Sequence, residues 1–193
     1  MMLATVANTN PAGALAAAAR AAAPSVLKAA AASAQAAEQT RHVWTGQMRV
    51  GQDGEVLTAL LGSCVGIGIV WRARGRCGLA HCFLPEGAGS GVENAGRYVS
   101  TAIPALLAAM GVRREHYGEV EVIVAGGAHM LRSHGNDSQV GRRNVAAARA
   151  ELAQRGLNVV FEDIGGSRGR RISIDCATQS HEVQRVGAAE AWA

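Results

Sequence analysis

Leu61-Gly-Ser-Cys64-Val-Gly-Ile-Gly-Ile-Val-Trp71-Arg-Ala-Arg-Gly-Arg76-Cys-Gly-Leu-Ala-His81-Cys-Phe-Leu-Pro85 decides how this chain folds. Val65–Trp71 alternates Ile67 and Ile69 with Gly66 and Gly68, the period of a strand. Arg72–Arg76 is a polar turn, and Cys77–Leu84 reads as the next strand, ended by Pro85. So short a connection predicts an antiparallel hairpin. Centred near Arg74–Gly75, it sets Cys64 opposite Pro85, four residues from His81. That offset is about 13 Å along a strand. Simple hairpin register therefore leaves the thiol and the imidazole apart, and a bulge, a bend after Gly62 or an inserted strand is needed to join them. Cys64, Gly66 and Gly68 share one face. The two glycines read either as an open floor for a substrate backbone or as a site of tight packing.

Working outward, Val43–Val50 and Glu55–Leu61 read as strands around a turn at Gly51–Gly54. Beyond Pro85, Glu86–Gly91 is a Gly-rich loop. Asn94 is placed to cap a helix reaching Met110. Tyr98, Ala102, Leu106 and Met110 line one face of that helix, with Ile103 and Leu107 beside it, and Pro104 kinks it or delays its start. Val120–Ala125 is a short buried strand, Asn144 caps a helix to Arg155, and Gly156 stops it. Asn158–Glu162, Arg171–Ala177 and His181–Val186 are further strands, the last two forming a hairpin. Strands in adjacent groups with helices between them predict an α/β fold of the α+β type. This is a single layered domain with mixed β-sheets flanked by helices, rather than a doubly wound one. The domain is expected over residues 42–187, with a C-terminal tail at 188–193.

Residues 1–41 are dominated by Ala. Fragments such as Ala12–Ala23 and Ser25–Ala37 favour helix but carry little large apolar surface. The expectation is a disordered extension. It does not read as a signal peptide, because no basic residue precedes the apolar stretch and Arg20 and Pro24 interrupt it. No run of strongly apolar residues is long enough to span a bilayer.

The net charge is +4, and Lys28 is the only lysine among 19 basic residues. The arginines are scattered among acids and aromatics are few, which disfavours a nucleic-acid binder. Arg168-Gly-Arg170-Arg171 reads as a solvated turn. The cysteines are Cys64, Cys77, Cys82 and Cys176, without CxxC spacing, and read as reduced thiols of a cytoplasmic protein. A zinc site from Cys64, Cys77, His81 and Cys82 is disfavoured, because His81 and Cys82 point to opposite faces of one strand. The reading calls for no metal and no cofactor. Cys64 after a Gly-Ser turn, with His81 in the next strand, is instead the minimum kit for thiol-based acyl transfer. Cys77, Cys82 and Cys176 read as packing. His42, His116, His129, His134 and His181 read as surface or loop residues.

Leu61-Gly62-Ser63-Cys64-Val65 and Ala80-His81-Cys82-Phe83-Leu84-Pro85 resemble the active-site segments of the CheD family, the chemoreceptor glutamine deamidases. Further resemblance lies in Ala125-Gly126-Gly127-Ala128, Gly141-Arg142-Arg143-Asn144 and Glu162-Asp163-Ile164-Gly165-Gly166 with Gly169-Arg170. It extends over roughly residues 43 to 186. Two positions depart from the family's usual pattern: Ala80 stands where Asn is common, and Ala128 where Lys often follows the glycines. The resemblance implies a catalytic set of Cys64, His81 and Thr58, with Thr58 orienting the imidazole. It implies hydrolysis of glutamine side chains on chemoreceptor cytoplasmic domains through a thioester. Backbone N–H groups around Gly62 and Ser63 are expected to stabilise the oxyanion. A CheC-type phosphatase is a further partner the resemblance suggests. Alternatives with the same residues are an adaptor with little catalysis, or a methylesterase acting on receptor glutamates.

Overall fold

The computed structural model describes residues 39–52, 54–87, 95–129 and 137–187. The readings made for residues 1–38, Asn94, His134 and the tail from 188 lie outside the described residues. The chain divides into two units at Gln39/Thr40, and the second is described here.

Two sheets make up this unit. The five-stranded sheet has the order β2 (Met48–Gly51), β5 (Arg76–Cys82), β4 (Val65–Trp71), β6 (Glu121–Gly126), β7 (Asn158–Ile164). All its pairings are antiparallel except β6 with β7. The four-stranded sheet has the order β1 (Thr40–His42), β3 (Val56–Leu61), β8 (Gly169–Asp175), β9 (Ser180–Val186). There β1 runs parallel to β3, and the other pairs are antiparallel. Helices α1 (Val99–Ala109) and α2 (Asp137–Arg155) complete the unit. The α+β class with mixed sheets is as the sequence predicts.

Strand alternation builds three layers. Val65, Ile67 and Ile69 of β4 and Ala80 and Cys82 of β5 pack with Val99, Ile103, Leu106 and Leu107 of α1 and Leu152 of α2. The opposite faces of those strands offer Val70, Cys77 and Leu79 to Leu57, Ala59, Leu61, Ile172 and Ile174 of the smaller sheet. The order is therefore helices, large sheet, small sheet. Removing this apolar area from water is the main stabilising contribution.

Several boundaries differ from the expectation. The stretch read as one strand, Val43–Val50, is broken by a turn between β1 and β2, with Gly46 at φ 82. Arg72–Arg74 is a short 3-10 turn closed by Gly75 at φ 61, and β5 starts directly after it at Arg76. α1 starts at Val99, after an extended Tyr98, and carries Pro104 as its sixth residue, so its start is later than the one expected at Asn94. α2 starts well before Asn144, which is therefore not its cap but a helix-interior residue.

The glycines of β4 also have an answer. A Cβ on Gly66 would lie 2.8 Å from Leu61 Cδ1, and one on Gly68 would lie 2.6 Å from Ile174 Cδ1. The glycines admit the smaller sheet close against β4. They are a packing device, not an open floor.

Candidate functional site

The hairpin β4–β5 sets the site. Trp71 pairs with Arg76, so Gly66 pairs with His81 and Val65 with Cys82. The turn centre lies one residue earlier than a centre at Arg74–Gly75. The pairing therefore shifts by two; the ladder ends at Val65 with Cys82, and its continuation would set Cys64 opposite Phe83, two beyond His81. Within a ladder, diagonal neighbours of this kind are about 7 Å apart. An even shift also preserves the face. Cys64 packs against the inter-sheet cluster, and His81 shares the face of Cys77 and Leu79.

His81 is 3 % exposed. Its main chain is clasped by the β1–β2 turn: Gly46 N–H donates to His81 O at 2.8 Å, and His81 N–H donates to Gln47 O at 2.9 Å. The ring is held in the same place. Nδ1 lies 3.1 Å from Val43 O. A carbonyl only accepts, so the hydrogen of the neutral ring sits on Nδ1 and Nε2 carries the lone pair. Thr45 Oγ1 lies 3.4 Å from Nε2. Burial pushes the imidazole pKa below its ordinary value, the bond to Val43 O opposes that, and the nearby His42 adds to the lowering. The ring is therefore neutral, the form of a general base.

Cys64 is half-buried. Burial pushes its thiol pKa up, while a hydrogen bond from its own backbone N–H pulls it down. Among the described residues no hydrogen bond joins the thiol to His81. Such bonds are often long in unliganded active sites and tighten on substrate. The turn carrying Cys64 is tied by three consecutive carbonyls. Ala128 N–H donates to Gly62 O at 2.8 Å, Gly127 N–H to Cys64 O at 2.7 Å, and Asn144 Nδ2 to Ser63 O at 3.1 Å. Gly126 has φ 106, and a Cβ there would collide with Cys64 O, so only glycine fits beneath the turn. Gly62 and Ser63 thus lie in a turn anchored through its carbonyls.

Thr58 stands elsewhere. It lies on the outer face of β3, since Leu57 and Ala59 on either side are fully buried. Its hydroxyl donates to Ile172 O at 3.0 Å and meets Ser173 Oγ at 3.2 Å. It lines a 410 Å³ groove with His42, Leu60 and Arg171. The structure does not bring its side chain to the imidazole. Its backbone does connect: Val43 N–H donates to Thr58 O at 2.8 Å, and Val43 O holds His81 Nδ1.

Arg170 corrects the reading of Arg168–Arg171 as a solvated turn. It is 3 % exposed and pairs with Asp163 at 2.8 Å. Its NH1 donates to Gly165 O and Arg168 O. Gly165 N–H in turn donates to Gly126 O, under the Cys64 turn. Gly165 and Gly166, at φ 70 and 67, mark a tight turn, but a buried cation held by its carbonyls leaves no pattern of its own in the sequence. Val43, Thr45 and Asn144 were missed as contributors, because a backbone acceptor and a buried amide leave no periodic trace.

Among the described residues no helix is long and apolar enough to cross a membrane, and no group of acidic, Cys and His side chains has metal-binding geometry. The family model for CheD chemotactic sensory transduction matches residues 83–185. A Ruegeria sp. protein named "Probable chemoreceptor glutamine deamidase CheD 2" is 36% identical over 163 residues, covering 75% of this chain and 91% of its own. A Bdellovibrio bacteriovorus protein named "Probable chemoreceptor glutamine deamidase CheD" is 40% identical over 135 residues, covering 69% and 86%. Among solved structures, YlmD from Geobacillus stearothermophilus overlaps at TM-score 0.38 and 16% identity, covering 61% of this chain and 50% of that one. By the family model and by these relatives, the chain belongs to the CheD family.

Proposed function

We propose that this protein hydrolyses the side-chain amide of glutamines on chemoreceptor cytoplasmic domains, giving glutamate and ammonia. The observation that carries the reading is the register of β4 and β5. Continued past its last pair, Val65 with Cys82, it supports Cys64 and His81 sharing one face, with the imidazole anchored through Nδ1 and Nε2 as the acceptor nitrogen, 3.4 Å from Thr45 Oγ1. The relatives' names give the substrate class.

The resting pair is a neutral thiol and a neutral imidazole, because burial disfavours both charged forms. His81 Nε2 takes the thiol proton as the sulfur adds to the amide carbon. The carbonyl oxygen gains the negative charge beside the Cys64 N–H and the Gly62–Ser63 turn. The imidazolium returns the proton to the departing nitrogen, and ammonia leaves. The thioester is hydrolysed when His81 takes a proton from water. Collapse of the second tetrahedral adduct releases the carboxylate and restores the thiol. Val43 O stabilises the transient imidazolium, the orienting part of a triad. Thr58 acts one step back as a positioning residue, holding Val43 through its carbonyl and β8 through its hydroxyl. A CheC-type phosphatase as a further partner rests on the family resemblance alone.

The test is peptide mapping of a receptor cytoplasmic fragment after incubation, with released ammonia measured in parallel. Glutamine-to-glutamate conversion matched by ammonia supports the reading. Methanol release from a methylated fragment, without deamidation, favours the methylesterase instead. No turnover of either, with tight binding, favours the adaptor.

A further inference from the structure

We infer that Asn144 is a positioning residue of this site, an amide brace that holds the nucleophile's turn and the histidine's strand at a set separation. The inference rests on the catalytic reading of Cys64 and His81.

The β4–β5 ladder ends at the pair Val65 and Cys82. The next pair would be Cys64 with Phe83, but the strands part there. Phe83 N–H turns away to Arg97 O at 3.2 Å. Asn144 spans the gap from α2. Its Nδ2 donates to Ser63 O at 3.1 Å and to Phe83 O at 3.1 Å. Ser63 is bonded to Cys64, and Phe83 lies two residues beyond His81. Both hydrogens of the amide are used. The reversed amide would set Oδ1 against two carbonyl oxygens, so the orientation is determined by the network.

Stability alone does not account for this residue. Asn144 is fully buried in a helix interior, where asparagine is a poor helix former and an amide is costly to desolvate. Its Oδ1 is buried without a partner among the described residues. A residue kept only to fill the core would be apolar and leave no acceptor empty. The helix has other anchors. Ala148 and Leu152 sit in the core, and Gly141 lets the helix backbone close onto Gly127 O, where a Cβ would lie at 2.7 Å. A rigid helix, pressed on the loop beneath Cys64, thus presents one amide to both catalytic segments. A site held in this way loses rate when its support is removed, even where binding persists.

The experiment compares Asn144→Ala with Leu152→Ala, a core truncation in the same helix that removes no hydrogen bond to either segment. Folding is followed by circular dichroism and thermal melting. kcat and KM are measured on a receptor fragment, and the rate of Cys64 alkylation by iodoacetamide is measured against pH. Asn144→Ala is expected to lower kcat by about 10²-fold with KM nearly unchanged. It should also alter the pH profile of Cys64 alkylation. Leu152→Ala is expected to lower the melting temperature while leaving kcat and that profile near wild type. A folded Asn144→Ala with wild-type kcat and alkylation profile overturns the proposal. So does a kcat loss no larger than that of Leu152→Ala. If Asn144→Ala does not fold, Asn144→Ser carries the same comparison. Failure of both to fold overturns the proposal too, since Asn144 is then a residue of global stability. If Cys64→Ala proves active, the catalytic reading fails separately, and the alkylation profiles still report whether Asn144 sets the thiol's surroundings.

Discussion

At Thr58 the side chain and the backbone do different things. The hydroxyl is committed to β8 and the carbonyl to Val43, whose own carbonyl holds the imidazole. Losing the hydroxyl loosens the strand that fixes Val43, so the imidazole is displaced without any group leaving the site. Thr58→Ala is expected to lower kcat by about 10²-fold with little change in KM. Thr58→Ser, which keeps the hydroxyl, should recover most of the rate. Equal losses for Ala and Ser would show that the hydroxyl is not what matters. Cys64 and His81 stand out in the sequence because a thiol after a Gly-Ser turn and an imidazole in the next strand carry chemistry in their identity, and their role is the one proposed above. Val43 does not stand out, since any residue supplies a carbonyl. Asn144 was legible as a segment but misread as a cap, because a buried amide and a capping amide look alike until the helix start is known.

Elements were read best where their period was clean. Val65–Trp71 was placed at its observed bounds, and α1's buried face follows its apolar spacing. Registers were harder. The four-residue connection Arg72–Gly75 ends in a left-handed glycine, and this moves the hairpin centre by one residue. That small shift halves the offset in register between Cys64 and His81. The link between sheets was also hidden. Asp163 of β7 reaches Arg170 of β8 at 2.8 Å and Arg185 of β9 at 3.0 Å, tying one sheet to the other. Hydrogen bonds from Arg185 and Arg170 hold the Asp163 carboxyl at about 2, below its ordinary 3.8. The folded pKa is the lower one, so the carboxylate adds stability above the ordinary value, and this is lost as pH falls through about 2. Asp163→Asn leaves Arg170 buried without its counter-ion and is expected to cost on the order of 3 kcal/mol at neutral pH. Its urea midpoint should approach that of wild type as pH falls through the acid range. A gap that stays constant with pH would mean the carboxylate's charge is not the source of the effect.

For the molecule as a whole, the fold sets the candidate site at one end of the space between two sheets. Cys64 directly precedes β4, the large sheet's central strand, and the imidazole's anchor comes from the link between β1 and β2. The N-terminal Ala-rich stretch carries little large apolar surface, and we propose that it is dispensable. Deleting residues 1–38 should leave melting temperature and turnover near wild type. Deleting residues 1–43 removes β1 and Val43 and should abolish turnover. A large loss on the shorter deletion would show that the extension supports the domain. The central claim is that the Cys64 thiol is the nucleophile that opens a receptor glutamine's amide. The most direct measurement is the rate of glutamine-to-glutamate conversion in a receptor fragment, by peptide mapping, for wild type and for Cys64→Ala of matched circular dichroism. Conversion by wild type with none by Cys64→Ala is the expected result. Conversion at the wild-type rate by Cys64→Ala would contradict it.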